Sequence, residues 1–356
     1  VPQSGQVIAD QNNGVTATLT STGNVPVPQK PVYFVISNPK LGAVLTTSGI
    51  TNANGVAQAG VLNVPSADTG ANGTGDTITA YFGGNVPLPP PPSGASYNAA
   101  DPDYASSTNA AGVSVIAPVG MWSLGPGAGT LSLSGQATVS VTGSLAVGSS
   151  SNGGINLSGQ ATLKTTGALL SPAAKPVTSS GQATYSVASQ QTLSEPDPNA
   201  GLAAPSTSGM TVYSSSSLQG PGVYTKAVTV SGQSSMTLAS GTYVFDNGLT
   251  LSGQVTLKSA TGGVLLYFAG GGLTISGQAA ATLSPLASGV YAGIVLFQAY
   301  SDSVAVSLSG QGQTTSFAGE LYTPAAMVGL SGQAKLSVAA LIAQGTVLTG
   351  QAGLTA

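Results

Sequence analysis

The sequence has no cysteine, no histidine and no arginine, and only 5% of its 356 residues are charged. These absences remove the imidazole base, the commonest metal ligand and any thiol nucleophile. They also mean that stability in an oxidising compartment has to come from hydrogen-bonded β-structure and not from disulfides. The seven basic residues are lysines spread singly from Lys30 to Lys335 and the net charge is −3, so nothing forms a basic patch for phosphate backbones or anionic bilayers. Nucleic acid is excluded as an expected partner. The longest apolar stretch, residues 290–300, is interrupted by Gly293 and Gln298 and falls short of the roughly 20 residues of a spanning helix, so no membrane insertion is expected. Val1-Pro2-Gln3-Ser4 carries neither a charged nor an apolar leader, which predicts a secreted, extracellular or cell-surface chain whose signal peptide has been removed.

What is present is 41% hydrophobic residues, enough to offset ordering entropy, and a repeat. Ser-Gly-Gln occurs at Ser134, Ser158, Ser180, Ser231, Ser252, Ser276, Ser309 and Ser331, with Thr-Gly-Gln at Thr349. By subtraction the intervals are 24, 22, 51, 21, 24, 33, 22 and 18 residues, a solenoid period near 22 with one double-length and one lengthened interval. Residues alternate around each triplet, as in Leu251-Ser252-Gly253-Gln254-Val255-Thr256-Leu257, which is a strand signature. Glycine supplies the positive φ of a corner between two strands. Corners stacked at ~4.8 Å place amide over amide, so Gln136, Gln160, Gln182, Gln233, Gln254, Gln278, Gln311, Gln333 and Gln351 are expected to form a corner ladder. About ten rungs at that rise make a rod on the order of 50 Å long.

Two intervals break the period. The long one holds Glu195-Pro196-Asp197-Pro198-Asn199-Ala200-Gly201, whose prolines cannot continue a central ladder, so this segment is expected to loop out. The 33-residue interval holds residues 290–298, expected to be the most deeply buried strand, and then a loop near Asp302. Upstream, strand-like runs at residues 15–19, 31–36, 55–59 and 76–82 are separated by Gly, Asn and Pro turns, the pattern of a sandwich. Asn85-Val86-Pro87-Leu88-Pro89-Pro90-Pro91-Pro92 reads as a polyproline spacer.

The N-terminal part resembles bacterial immunoglobulin-like domains of the invasin and intimin type, through Pro26-Val27-Pro28, Val32-Tyr33-Phe34-Val35-Ile36 and Thr51-Asn52-Ala53-Asn54-Gly55-Val56-Ala57. That resemblance implies a cell-surface spacer. The solenoid resembles the β-helix of proteins associated with tight-adherence pili. It does so through Asp197-Pro198-Asn199-Ala200-Gly201-Leu202-Ala203-Ala204-Pro205, Gly220-Pro221-Gly222-Val223-Tyr224, Gly241-Thr242-Tyr243-Val244-Phe245 and Tyr291-Ala292-Gly293-Ile294-Val295-Leu296-Phe297-Gln298. It departs from that pattern in using Gln where the family favours Asn and in lacking an N-terminal membrane helix, which implies a secreted subunit. The expected fold is all-β: an immunoglobulin-like sandwich at 1–85, a Pro-rich linker at 86–125 and a right-handed parallel β-helix at 126–356.

Polysaccharide chemistry needs carboxylates a few ångströms apart or a basic proton acceptor. The solenoid holds only Glu195, Asp197, Asp246, Asp302 and Glu320, read as isolated solvated charges, so no enzyme activity and no cofactor are expected. Asp101, Asp103 and Asn98 offer oxygen ligands without the spacing of a calcium loop, and no metal site is assigned. Lys164, Lys175, Lys226, Lys258 and Lys335 read as solvated faces. Asn72-Gly73-Thr74 and Asn156-Leu157-Ser158 match a glycosylation acceptor too short to carry weight. Tyr243, Tyr267, Tyr291 and Tyr322 fall in strand runs and read as packing, with a glycan-binding strip as the alternative.

The two ends are the sharpest feature. Residues 347–356 form a rung in progress with no charge and no cap, an open edge that invites another chain, and Val1-Pro2-Gln3-Ser4-Gly5-Gln6-Val7-Ile8-Ala9 carries the same corner triplet. The expected partner is therefore the chain itself, in a head-to-tail filament, with Val1, Ser4, Gly5, Gln6, Val7 and Ile8 as a donor strand and Leu348, Gly350, Gln351 and Leu354 as its acceptor. The same donor segment reads equally as the first strand of its own sandwich. A monomeric glycan-binding adhesin and a polysaccharide-active enzyme are the competing functions.

Overall fold

The computed structural model describes residues 6–8, 15–37, 44–58, 74–82, 107–116, 119–311 and 314–356. Two compact units, Val1–Pro118 and Val119–Ala356, divide them, and no helix occurs among the described residues.

In the first unit a five-stranded sheet runs in the order Gln6–Ile8, Ser107–Ile116, Thr74–Phe82, Pro31–Ser37 and Val44–Ile50, and a second, two-stranded sheet pairs Thr16–Thr18 with Val56–Gln58. Every pairing is antiparallel except that of Gln6–Ile8 with Ser107–Ile116. Val32 and Phe34 alternate inward and are buried with Val15, Val27, Ala57 and Ile78. The Asn52 side chain accepts the N–H groups of Asn54 (2.9 Å) and Val56 (3.1 Å), closing the turn that Thr51-Asn52-Ala53-Asn54-Gly55 marks in the sequence. Ser107–Ile116 and Val119–Ser123 are strands that lie inside the span assigned to a linker, one in each unit.

The second unit is a β-solenoid of parallel strands on three faces. Along the chain one turn passes from face A (Val119–Ser123) to face B (Leu131–Leu133), through a Ser-Gly-Gln corner to face C (Thr138–Val141), and back to face A at Ser144–Val147. Faces B and C alternate buried and solvated residues, one side packing the core. Face A differs: Val119–Ser123, Ala168–Ser171, Val264–Phe268 and Ile294–Gln298 are buried at every position. Strands covered on both sides read as unbroken apolar runs, as these do. The buried strand of the 33-residue interval starts at Ile294 and not at residue 290, because Gly293 turns the chain with φ +86° and leaves Val290 77% exposed.

The turns do not stack in sequence order. Residues 335–356 pair with the first turn in the chain on all three faces: Leu341, Ile342 and Ala343 lie against Met121, Trp122 and Ser123, Thr346 to Leu348 against Leu131 to Leu133, and Gly353 to Thr355 against Thr138 to Ser140. In space the corner glutamines therefore run 233, 254, 278, 311, 333, 351, 136, 160, 182. The expectation of a bare final rung is overturned: Leu348, Ala352 and Leu354 are buried because the chain's own first turn covers them.

Such an order requires the chain to travel from the turn of Gln182 back to the turn of Gln233, at the far end of the stack, and the 51-residue interval does so. It does not loop out. Its residues 197–203 lie against Tyr322, Tyr300 and Tyr291 in that order, forming a strap that runs counter to the rungs it crosses.

Candidate functional site

Three features carry what this unit can do: a polar ladder, the seam where the last rung meets the first, and the strap.

At the corners Gly159 has φ +73°, and a Cβ there would stand 2.9 Å from the Gly135 carbonyl of the neighbouring rung. Each corner glutamine N–H except that of Gln233 donates to the corner glycine carbonyl of the rung before it, as in Gln160 to Gly135 (2.7 Å), Gln254 to Gly232 (2.7 Å) and Gln333 to Gly310 (2.9 Å). Side-chain amides run the opposite way. Gln254 Nε2 donates to Gln278 (2.9 Å), Gln333 to Gln351 (3.0 Å), Gln351 to Gln136 (3.0 Å), Gln136 to Gln160 (3.0 Å) and Gln160 to Gln182 (3.1 Å), and Gln233 donates to Gln254. The stack thus has a direction. Among the described residues, Gln182 Nε2 and the Gly181 carbonyl are without partners at one end, and the Gln233 N–H and Oε1 at the other.

The ends differ in cover. At the Gln182 end the outermost strands, Val177–Ser179, Thr184–Ser186 and Ser189–Thr192, contain no charged residue, and Tyr185 is 46% exposed. An edge without lysine, carboxylate or proline is open to further pairing. At the Gln233 end residues 211–221 make a lid. Val212–Tyr213 pairs with Gly222–Tyr224 on face A, and the Ser216 carbonyl accepts Thr229 N–H (3.1 Å) on face B. Leu218 is buried beneath, and Tyr224 Oη donates to the Gly220 carbonyl (2.6 Å) while accepting Gln219 N–H (2.8 Å). Tyr213 stacks on Tyr224 with centroids 4.9 Å apart.

The seam uses the same bonds as any other rung contact, among them Gln136 N–H to Gly350 O (2.7 Å), Thr138 N–H to Ala352 O (2.9 Å), Leu124 N–H to Ala343 O (2.8 Å) and Ala356 N–H to Ser140 O (2.9 Å). It differs in its buried polar atoms. Trp122 Nε1, Ser123 Oγ and Thr346 Oγ1 are buried there without a partner, three of the five such side-chain atoms among the described residues. Each costs ~1–3 kcal/mol of desolvation.

The strap brings together residues far apart in sequence. Tyr322 Oη donates to Asp197 Oδ2 (2.7 Å), Asn199 Nδ2 donates to Glu320, and Tyr291 Oη donates to the Ala203 carbonyl (2.8 Å). Tyr300 accepts Gly201 N–H (3.0 Å) and has one hydroxyl proton for two acceptors, the Asn199 carbonyl (2.8 Å) and Tyr322 Oη (2.6 Å). Phe297 stacks on Tyr322 at 5.3 Å. Burial pushes the Glu320 carboxyl up to about 7, the neighbouring Asp197 adds to the rise, and the Asn199 hydrogen bond opposes it. Burial likewise raises Glu195 and, together with its hydrogen bonds to Tyr300 and Asp197, Tyr322.

Asp197 and Glu320, read in the sequence as isolated charges, are therefore neighbours. Asp246 is exposed beyond a face-A strand three rungs away, and Asp302 is buried beside Gln298, whose Nε2 donates to it (2.9 Å). Tyr243 and Tyr267 pack within strands as expected, whereas Tyr291 falls in a turn and holds the strap. Gln6, Val7 and Ile8 pair with Ser114, Val115 and Ile116 of their own unit. Val1, Ser4 and Gly5 of the donor segment, with Asn72, Asn98, Asp101 and Asp103, lie outside the described residues. Sequence reading missed the strap and the seam. The signal for the strap was the doubled burial of face A, legible in runs such as Val264-Leu265-Leu266-Tyr267-Phe268.

Comparison with known proteins gave no match to a family model, to a curated protein or to a solved structure.

Proposed function

We propose that this chain is a structural subunit of an extracellular or cell-surface filament, a homopolymer joined head to tail. The observation that carries the reading is the direction of the stack: one end offers a carbonyl and an amide donor, the other an N–H and an amide acceptor. Because every rung-on-rung contact in such a stack has the same direction, copies joined through one keep a single sense, which propagates instead of closing. The N-terminal unit, with its two sheets, serves as an immunoglobulin-like spacer in this account, and the solenoid winds right-handed, as nearly all parallel crossovers do. Gln6–Ile8, already paired within its unit, is not needed as a donor strand. Negative-stain microscopy and light scattering of the purified chain across a concentration series test the proposal. Polymer growing with concentration is expected; a monomer at every concentration overturns it.

A second reading, a polysaccharide-active enzyme, draws on Glu320, whose carboxyl burial pushes up to about 7 beside a second carboxyl group, so that it holds a proton below neutral pH. Asn199 and Tyr322 already occupy both groups, which favours a fastening role. Glycan hydrolysis abolished by Glu320→Gln would reverse that preference.

A further inference from the structure

We infer that the seam is exchangeable between copies: the block at residues 119–192 of one chain seats on the rung at residues 335–356 of another, so that each rod is completed by its neighbour. This inference rests on the filament reading and names its joint.

A flush end-to-end stack is obstructed. At the Gln233 end face A carries two strands, Val212–Tyr213 and Gly222–Tyr224, beyond the level at which Ser235–Leu238 closes face C, and residues 214–218 cover face B. The flat Gln182 end cannot meet all three faces of that stepped surface at once. The seam, by contrast, is a complete rung-on-rung contact in which neither rung runs on along the chain into the one it faces. Its corner bond, Gln136 N–H to Gly350 O, has the same 2.7 Å length as the bonds between consecutive turns on either side, Gln160 to Gly135 and Gln351 to Gly332. Nothing in the contact records which chain supplies either half.

Two observations mark the seam as the place that opens. Trp122, Ser123 and Thr346 each bury a polar atom there without a partner. The strap, moreover, is fastened only to the second block. Asp197, Asn199, Gly201 and Ala203 bond to Tyr322, Glu320, Tyr300 and Tyr291, whereas Leu193 N–H is tied to Ser171 in the first block (2.9 Å). Residues 194–196 therefore cross the seam as the sole covalent hinge, and the first block can swing out while the strap stays docked. A block released this way fits the vacated rung of a second copy with every seam bond remade. Repetition gives an open chain of copies, the runaway form of domain exchange.

The absence of cysteine makes the test direct. Ser132 and Val347 are facing partners across the seam on face B, and both are partly exposed. A full-length Ser132→Cys/Val347→Cys chain, oxidised while dilute and monomeric, is locked shut. We expect it not to polymerise on concentration, and to regain polymer on reduction. A control lock between consecutive turns, Asn156→Cys/Thr178→Cys, is expected to leave polymer unaffected, which separates locking from damage to the fold. Polymer from the seam-locked chain overturns the exchange while leaving the filament reading intact; a native chain that never polymerises removes both. As a second measurement, mixed Ser132→Cys and Val347→Cys single variants should give an interchain disulfide dimer in the polymer. Filaments lacking that dimer also overturn the inference.

Discussion

Replacing Glu320 by glutamine isolates one proton. In the folded chain burial raises this carboxyl from its ordinary 4.5 to about 7, so the native state holds a proton that the unfolded state has released. The sign follows from linkage: where the native state binds more protons, stability falls as pH rises. The contribution of Glu320 is complete below pH ~4.5, declines between there and about 7, and is absent above. A rise of about 2.5 pH units corresponds to ~3 kcal/mol. Glutamine keeps the shape and the acceptor for Asn199 without a charge to desolvate. Denaturant titrations of both chains at pH 4, 6 and 8 should therefore agree at pH 4 and diverge by a few kcal/mol at pH 8, the variant being the more stable. Asn199, which hydrogen-bonds this carboxyl, and Asp197, whose charge adds to its rise, are both unchanged in the variant. Equal slopes against pH for the two chains would refute the argument.

Gly159→Ala places a Cβ against the Gly135 carbonyl at φ +73°; it should cost more than the ~1–2 kcal/mol of a left-handed L-residue, measured by the denaturation midpoint. Leu348→Ala removes a fully buried side chain at the seam and should destabilise by ~2–5 kcal/mol, while raising the rate at which the mixed cysteine variants cross-link. Burial, with Tyr224 and Tyr213 nearby, pushes the Tyr243 hydroxyl up to about 12. An ultraviolet titration should show a late tyrosine ionisation that disappears in Tyr243→Phe.

The corners were legible because Gly at positive φ and a stackable Gln are demanded by local geometry, and such demands print themselves on sequence at a fixed period. The order of the turns was not, since Gln351 meets Gln136 with the bonds by which Gln136 meets Gln160, and rungs this alike carry no address. The double-length interval announced an interruption without announcing a path. Asp197 and Glu320 meet only because that path doubles back, a long-range consequence that spacing along the chain cannot express. Ser107–Ile116 escaped notice because its first six residues, Ser-Thr-Asn-Ala-Ala-Gly, have little of the β-branched or aromatic character of a strand.

The amide contact between Gln351 and Gln136 joins residues 215 positions apart. A ribosome delivers the early turns long before the piece that closes over them, so the middle of the finished column is the last place to be built. Removing residues 335–356 would consequently take out a keystone and leave two stubs, where loss of the last turn in an ordinary solenoid merely trims a tip.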